Sequence, residues 1–124
     1  MTDEGNVAPR PSVLVVEDDP ETLAAVADAL AEEGYRVRRA THGMEALGEI
    51  RTQTPDLVVS DVHMPVLGEG PLLRRLRDLN LPVVLVSADP NWARTPGVAF
   101  VPKPFELDDL LDVVARMLDE ERSR

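Results

Sequence analysis

From Ser12 onward the chain switches repeatedly between two hydrophobic periods. SVLVVE, residues 12–17, is an almost unbroken apolar run rich in β-branched residues, the pattern of a strand buried on both faces of a parallel sheet. Asp19-Pro20 then supplies an N-cap and a proline at the first helical position, and Leu23, Val26, Ala27 and Leu30 mark one helical face until Gly34 ends it. The alternation continues with a strand over 35–39 (YRVRR), a helix over 43–52 with Ala46, Leu47 and Ile50 inward, and a strand over 57–60 (LVVS). Next come a helix carrying Leu72, Leu73, Leu76 and Leu79, a strand over 83–87 (VVLVS), a short irregular segment and a strand over 98–101 (VAFV). A last helix has Leu107, Leu110, Leu111, Val114 and Leu118 along one side. Strands alternating with helices make parallel βαβ units with right-handed crossovers, so the expected class is α/β, a doubly wound five-stranded parallel sheet. The arginines of YRVRR suit an edge strand with one wet face.

The 124 residues fit one domain, 12–124, preceded by a polar leader over 1–11 that carries Pro9 and Pro11 and is expected to be flexible. Only four residues are aromatic, so the core must be mostly Val, Leu and Ala. With no cysteine there is no disulfide, thiol nucleophile or Cys-ligated zinc, and a zinc role for His63 is disfavoured because the other histidine, His42, is far along the chain. The acids number 23 against 13 bases; a net charge of -10 argues against nucleic acid or an anionic membrane as partner. No apolar run approaches the roughly 20 residues of a membrane helix, and the first dozen residues lack a secretory pattern, so a cytoplasmic protein is expected. Of the 13 basic residues 12 are arginine, which leaves Lys103 as the single lysine.

In an open α/β sheet, ligands bind beyond the carboxyl ends of the strands, where strand order reverses. That rule selects Glu17, Asp18 and Asp19 after the first strand, Asp61 after the third, Ser87 ending the fourth and Lys103 after the fifth. Carboxylates gathered at one edge repel one another unless a hard divalent cation sits among them, and Glu17 with Asp18 would form such a cradle. Asp61 beside the cation can act as a nucleophile toward phosphorus, giving an acyl phosphate. The Lys103 ammonium and the Ser87 hydroxyl would then meet the phosphoryl oxygens. Taken singly, each residue has a plainer reading: Asp19 as a helix cap, Glu17 and Asp18 as solvated loop acids, Asp61 as a turn residue, Lys103 as a loop lysine fixed between Pro102 and Pro104. Four separate regions delivering complementary groups to one sheet edge carry the functional reading.

The segments VLVVEDDP, PDLVVSDVHMP, PVVLVSA and FVPKPF, in this order and at strand ends, resemble those of the receiver domains of bacterial two-component response regulators, with the likeness running from about Ser12 to Leu118. The resemblance implies a flavodoxin-like strand order 2-1-3-4-5, CheY-like, with five helices. It implies a phosphoacceptor rather than an enzyme, with Asp61 taking a phosphoryl group from a sensor histidine kinase or phosphotransfer protein. Mg²⁺ would be held by Asp18, Asp61 and the main-chain carbonyl of His63, with Glu17 assisting. Ser87 and Lys103 would contact the phosphoryl group, Phe100 would be the switch aromatic, and Lys103-Pro104 is a cis candidate. His63 and Asp89 occupy positions expected to set the lifetime of the phosphoryl group.

Two departures from the family stand out. Between Ser87 and Lys103 the chain is several residues short, and DPNWARTPG offers little helical period, so the family's fourth helix is expected to shrink to a loop or a single turn. Trp92 in this segment either plugs the space or anchors a partner. After Asp61, HMPVLGEGP holds one residue more than usual, which Gly68 and Gly70 can absorb while Pro71 starts the next helix. Because the chain ends six residues after Leu118, a stand-alone receiver signalling to a separate protein effector is the expected form. Alternatives are a binding module of the same fold that no longer uses phosphate, and a haloacid dehalogenase-like phosphatase, a family that wants an acid where His63 stands.

Overall fold

The computed structural model describes residues 10–61 and 69–122. Five parallel strands, β1 (Ser12–Val16), β2 (Arg36–Ala40), β3 (Leu57–Asp61), β4 (Val83–Ser87) and β5 (Ala99–Pro102), form one sheet in the order β2-β1-β3-β4-β5. The helices are α1 (Pro20–Glu32), α2 (Gly43–Thr52), α3 (Glu69–Asp78) and α4 (Leu107–Arg122). The strand order reverses between β1 and β3, which opens the crevice that the sequence pattern predicts. Among the described residues no helix is long and apolar enough to cross a membrane.

Side-chain alternation along the strands divides the core into two layers. Val13 and Val15 face one side with Val59, Val84 and Val86, where Leu23, Val26 and Leu30 of α1 and Leu110, Val114 and Leu118 of α4 cover them. Leu14 and Val16 face the other side with Val58 and Leu85, under Ala46 and Ile50 of α2 and Leu72, Leu73 and Leu76 of α3. Each fully buried Leu or Val stabilises the fold by about 1.5–3 kcal/mol through area removed from water. The aromatic residues Tyr35, Phe105, Trp92 and Phe100 all lie at the margins of these layers, partly buried.

Several boundaries differ from those expected. Gly34 takes φ +100° and the Tyr35 amide donates to Leu30 O at 3.3 Å, closing the end of α1, so β2 begins at Arg36 rather than at Tyr35. β5 likewise starts one residue late, at Ala99. α3 starts at Glu69, two residues before Pro71; a proline is tolerated there because the first-turn amides have no intrahelical acceptor. Leu107 does not join the inner face of α4 and is 38% exposed, since it stands at the first position of the helix, beyond the reach of the sheet.

β2 is an edge strand, as its arginines suggest. Arg38 reaches from it to α2, donating through Nη1 to Glu49 O (2.9 Å) and Glu49 Oε1 (3.2 Å) and through Nη2 to Gln53 O, which satisfies carbonyls at the C-terminal end of that helix. In place of the family's fourth helix stands one 3-10 turn, Pro90–Arg94. Asp89 caps it by accepting a hydrogen bond from Asn91 N at 3.0 Å. Trp92 packs from this turn onto the α2–α3 side of the core beside Val98 and Phe100, which gives it the plugging role. The expectations for residues 1–9 of the leader, for His63 and for the extra loop residue lie outside the described residues.

Candidate functional site

Register assembles the site. All five strands point their carboxyl ends the same way, and the pairings Val16 with Ser60, Asp61 with Val86 and Ser87 with Pro102 bring Glu17, Asp61, Ser87 and Lys103 to one edge. Two main-chain hydrogen bonds lock the flanks, Glu17 N to Ala40 O at 3.0 Å and Lys103 N to Ser87 O at 2.9 Å. The Lys103-Pro104 peptide bond is cis.

Three carboxylates meet at this edge. Glu17, Asp18 and Asp61 each offer an oxygen within 4.8 Å of the others. Glu17 and Asp61 are buried, 4% and 5% exposed, whereas Asp18 faces solvent. Lys103 answers them: its Nζ donates to Asp61 Oδ2 at 3.0 Å and to Glu17 Oε1 at 3.5 Å. The other Glu17 oxygen, Oε2, accepts from Asp19 N at 3.0 Å. Asp19 itself is the cap of α1, accepting from both the amide and the hydroxyl of Thr22, and these bonds hold its carboxyl below the usual range.

One ammonium does not balance three acids. Burial pushes Glu17 up to about 7, with the negative charge of Asp61 and a hydrogen bond to the Asp18 carboxyl adding to it, against the opposing pull of the Asp19 amide and Lys103. Burial draws Lys103 down, but its hydrogen bond to Asp61 and the charges of Asp61 and Glu17 outweigh that and hold it above the ordinary lysine value. A hard cation suits this donor set. Glu17, Asp18 and Asp61 already gather three carboxylate oxygens, the hard donors that Mg²⁺ favours.

Ser87 is fully buried, and its Oγ accepts from Asp89 N at 3.0 Å, directly ahead of the turn that carries Trp92. Phe100 is partly buried on the α2–α3 side of β5, opposite in direction to the buried Val101. Asp89 spends its carboxylate on capping. Sequence reading missed that role, although Asp89-Pro90 repeats the Asp-Pro signal that identifies Asp19 as a cap. His42 also caps a helix, Nδ1 accepting from Glu45 N at 3.1 Å at the start of α2, so that ring nitrogen is spent locally rather than on a metal. Beside Lys103 a cavity of about 670 Å³ opens, lined among others by Asp19, Thr22, Val26, Phe105 and Leu107, and the exposure of Leu107 belongs to its rim.

Residues 13–115 match the family described as response regulator receiver domain. The chain is 32% identical over 124 residues to the DNA-binding transcriptional regulator NtrC of Bradyrhizobium sp. (strain RP501 Parasponia), covering 94% of this chain and 26% of that protein. It is 36% identical over 124 residues to the transcriptional regulatory protein PrrA of Mycobacterium tuberculosis, covering 94% of this chain and 52% of the relative. The chain therefore spans between about a quarter and a half of the length of these curated relatives. Among solved structures, a CheY-like response regulator receiver domain protein from Methanospirillum hungatei JF-1 superposes with a TM-score of 0.85 at 25% identity, over 93% of this chain and 98% of that one. These likenesses leave the haloacid dehalogenase-like alternative without support.

Proposed function

This chain belongs to the response regulator receiver domain family, and from that premise we propose that it accepts a phosphoryl group on Asp61 from a phosphohistidine of a sensor kinase or phosphotransfer protein, then signals by contact with another protein. The observation that carries the reading is the placement of Lys103 Nζ 3.0 Å from a buried Asp61 carboxylate, within a three-carboxylate cluster at the crevice of the sheet.

The steps follow from the groups present. An Asp61 oxygen attacks phosphorus in line with the donor nitrogen; the O–P bond forms as the N–P bond breaks, and the departing imidazole takes up a proton from solvent. Lys103 shifts its hydrogen bond from the carboxylate to a phosphoryl oxygen, and the Ser87 hydroxyl donates to another. Glu17, Asp18 and Asp61 would hold Mg²⁺, with the His63 carbonyl as a further ligand. When bound, such an ion would supply neutralisation of charge on the phosphoryl oxygens. Phe100 then follows the Ser87 hydroxyl inward, and His63 and Asp89 set how readily water attacks the acyl phosphate.

The test is incubation with Mg²⁺ and acetyl phosphate, read by intact mass. Wild type gains one base-labile phosphoryl group and Asp61→Asn gains none. An unlabelled wild type beside a labelled control receiver would overturn the reading and favour a phosphate-independent binding module.

A further inference from the structure

The α2–α3 face combines two properties that the phosphoryl site does not use. On α2, Met44, Leu47 and Arg51 share one flank by helical spacing, and Leu47 and Arg51 of this flank face the depression beside Arg75 of α3. Met44 is 59% exposed, the most exposed large hydrophobic residue among the described residues. Leu47, Ile50, Arg51 and Arg75 line a depression of about 370 Å³ between the two helices, large enough for one or two apolar side chains. The second property is charge. Arg51, Arg74 and Arg75 are exposed, and among the described residues none of them forms an ion pair. The two helices together carry as many acids as arginines, but the charged residues that line the apolar depression are Arg51 and Arg75, so its mouth is positive in a chain with a net charge of -10.

We infer that the groove between α2 and α3 is a docking site for an acidic amphipathic helix of a partner protein, which seats one or two apolar side chains between Leu47 and Ile50 and sets Asp or Glu against Arg51 and Arg75. Both flanking helices are 10 residues long, about 15 Å at 1.5 Å per residue, which matches a helix of three turns laid in the groove. Charge complementarity selects the sign of the partner and brings it in, while the exposed Met44 and the partly buried Leu47 supply the apolar area, over the buried Ile50 at the floor of the depression. A nucleic acid fits less well. It would leave Met44 and Leu47 without apolar contact, and the acidic remainder of the chain would repel a long polyanion.

The experiment uses a synthetic 15-residue helical peptide with leucines at i, i+3, i+4 and i+7 and glutamates on its other faces, titrated into the ¹⁵N-labelled full chain. The expected result is amide shift changes concentrated in residues 44–51 and 72–79, with affinity that weakens as salt is raised. Arg51→Glu/Arg75→Glu, which changes exposed residues away from the phosphoryl site and keeps phosphoryl uptake, lowers the affinity more than tenfold. Met44→Ser/Leu47→Ser lowers it as well, while a peptide with serine for leucine binds more than tenfold more weakly. No binding up to millimolar peptide, shifts mapping to another face, or indifference to the arginine reversal would overturn the inference. So would equal binding of the serine peptide or of single-stranded DNA of the same charge, since either outcome assigns the face to polyanions.

Discussion

Lys103 Nζ lies closer to Asp61, at 3.0 Å, than to Glu17, at 3.5 Å, so the one lysine of the chain bridges two buried carboxylates with its shorter bond on Asp61. A compact tetrahedral donor can make both bonds from one atom; a planar guanidinium of greater reach cannot occupy the same point. Lys103→Arg is therefore expected to keep the protein folded and labelled by acetyl phosphate, while the labelled form fails to complete its rearrangement. Comparing the amide spectra of the two labelled proteins checks this: the variant should retain unlabelled-like positions around Phe100.

Glu17 gives a pH dependence with a definite sign. Its carboxyl titrates at 4.5 in the unfolded chain and at about 7 in the fold, so the folded state holds the extra proton between those values. Stability from this group is full below 4.5 and is lost as pH rises through about 7. Glu17→Gln should then be more stable than wild type at pH 8 in chelator, by at most about 3 kcal/mol and by less to the extent that solvent screens the site, and should differ little at pH 4.5. Urea unfolding at the two pH values reads the difference. Mg²⁺ requires the ionised carboxylate, so its binding should strengthen from pH 6 to pH 8 and release a proton.

Ser87, Asp89 and Trp92 form a short relay. Asp89 N donates to Ser87 Oγ, and the same residue caps the turn on which Trp92 sits. Movement of the Ser87 hydroxyl toward a phosphoryl group should disturb the turn, so the emission of the only tryptophan is expected to change on treatment with acetyl phosphate and Mg²⁺. Ser87→Ala should take up phosphate with little change in emission. Asp89→Ala, which removes the cap, should lower stability by about 1 kcal/mol and shift Trp92 emission to the red before any phosphate is added.

Two neighbouring leucines of the α4 row should behave differently. Leu110 is fully buried in the α1–α4 layer, and Leu110→Ala should cost about 2–5 kcal/mol through lost transfer energy and a cavity. Leu107 is exposed at the helix start, and Leu107→Ala should stay within about 0.5 kcal/mol of wild type. Chemical denaturation of the two variants separates them.

What the sequence made legible was what periodicity and capping encode. The continuous β1 run, the Asp19-Pro20 start of α1 and the 43–52 bounds of α2 are local signals, and the structure keeps them. The same holds for the collapse of DPNWARTPG, since prolines and glycine exclude a long helix wherever they stand. The coming together of Glu17, Asp18, Asp61 and Lys103 was readable because strand ends in a parallel sheet share one edge. Tyr35 and Leu107 were not, because each is decided by how the helix end beside it meets the rest of the fold, whereas the Asp89 cap was written in Asp89-Pro90 and went unread. The Tyr35 amide is taken by the end of α1, and Leu107 lies past the sheet. Nor could a charge count reveal that burial would raise Glu17 to about 7.

The shortened crossover begins after Ser87 and ends before Ala99, while the pairing of Ser87 with Pro102 and the bond from Lys103 N to Ser87 O lie outside it. Among the described residues only one side-chain bond, Asp89 N to Ser87 Oγ, ties the crossover to that edge, so a change in crossover length reaches the carboxylate cluster through the Ser87 hydroxyl rather than through the strands.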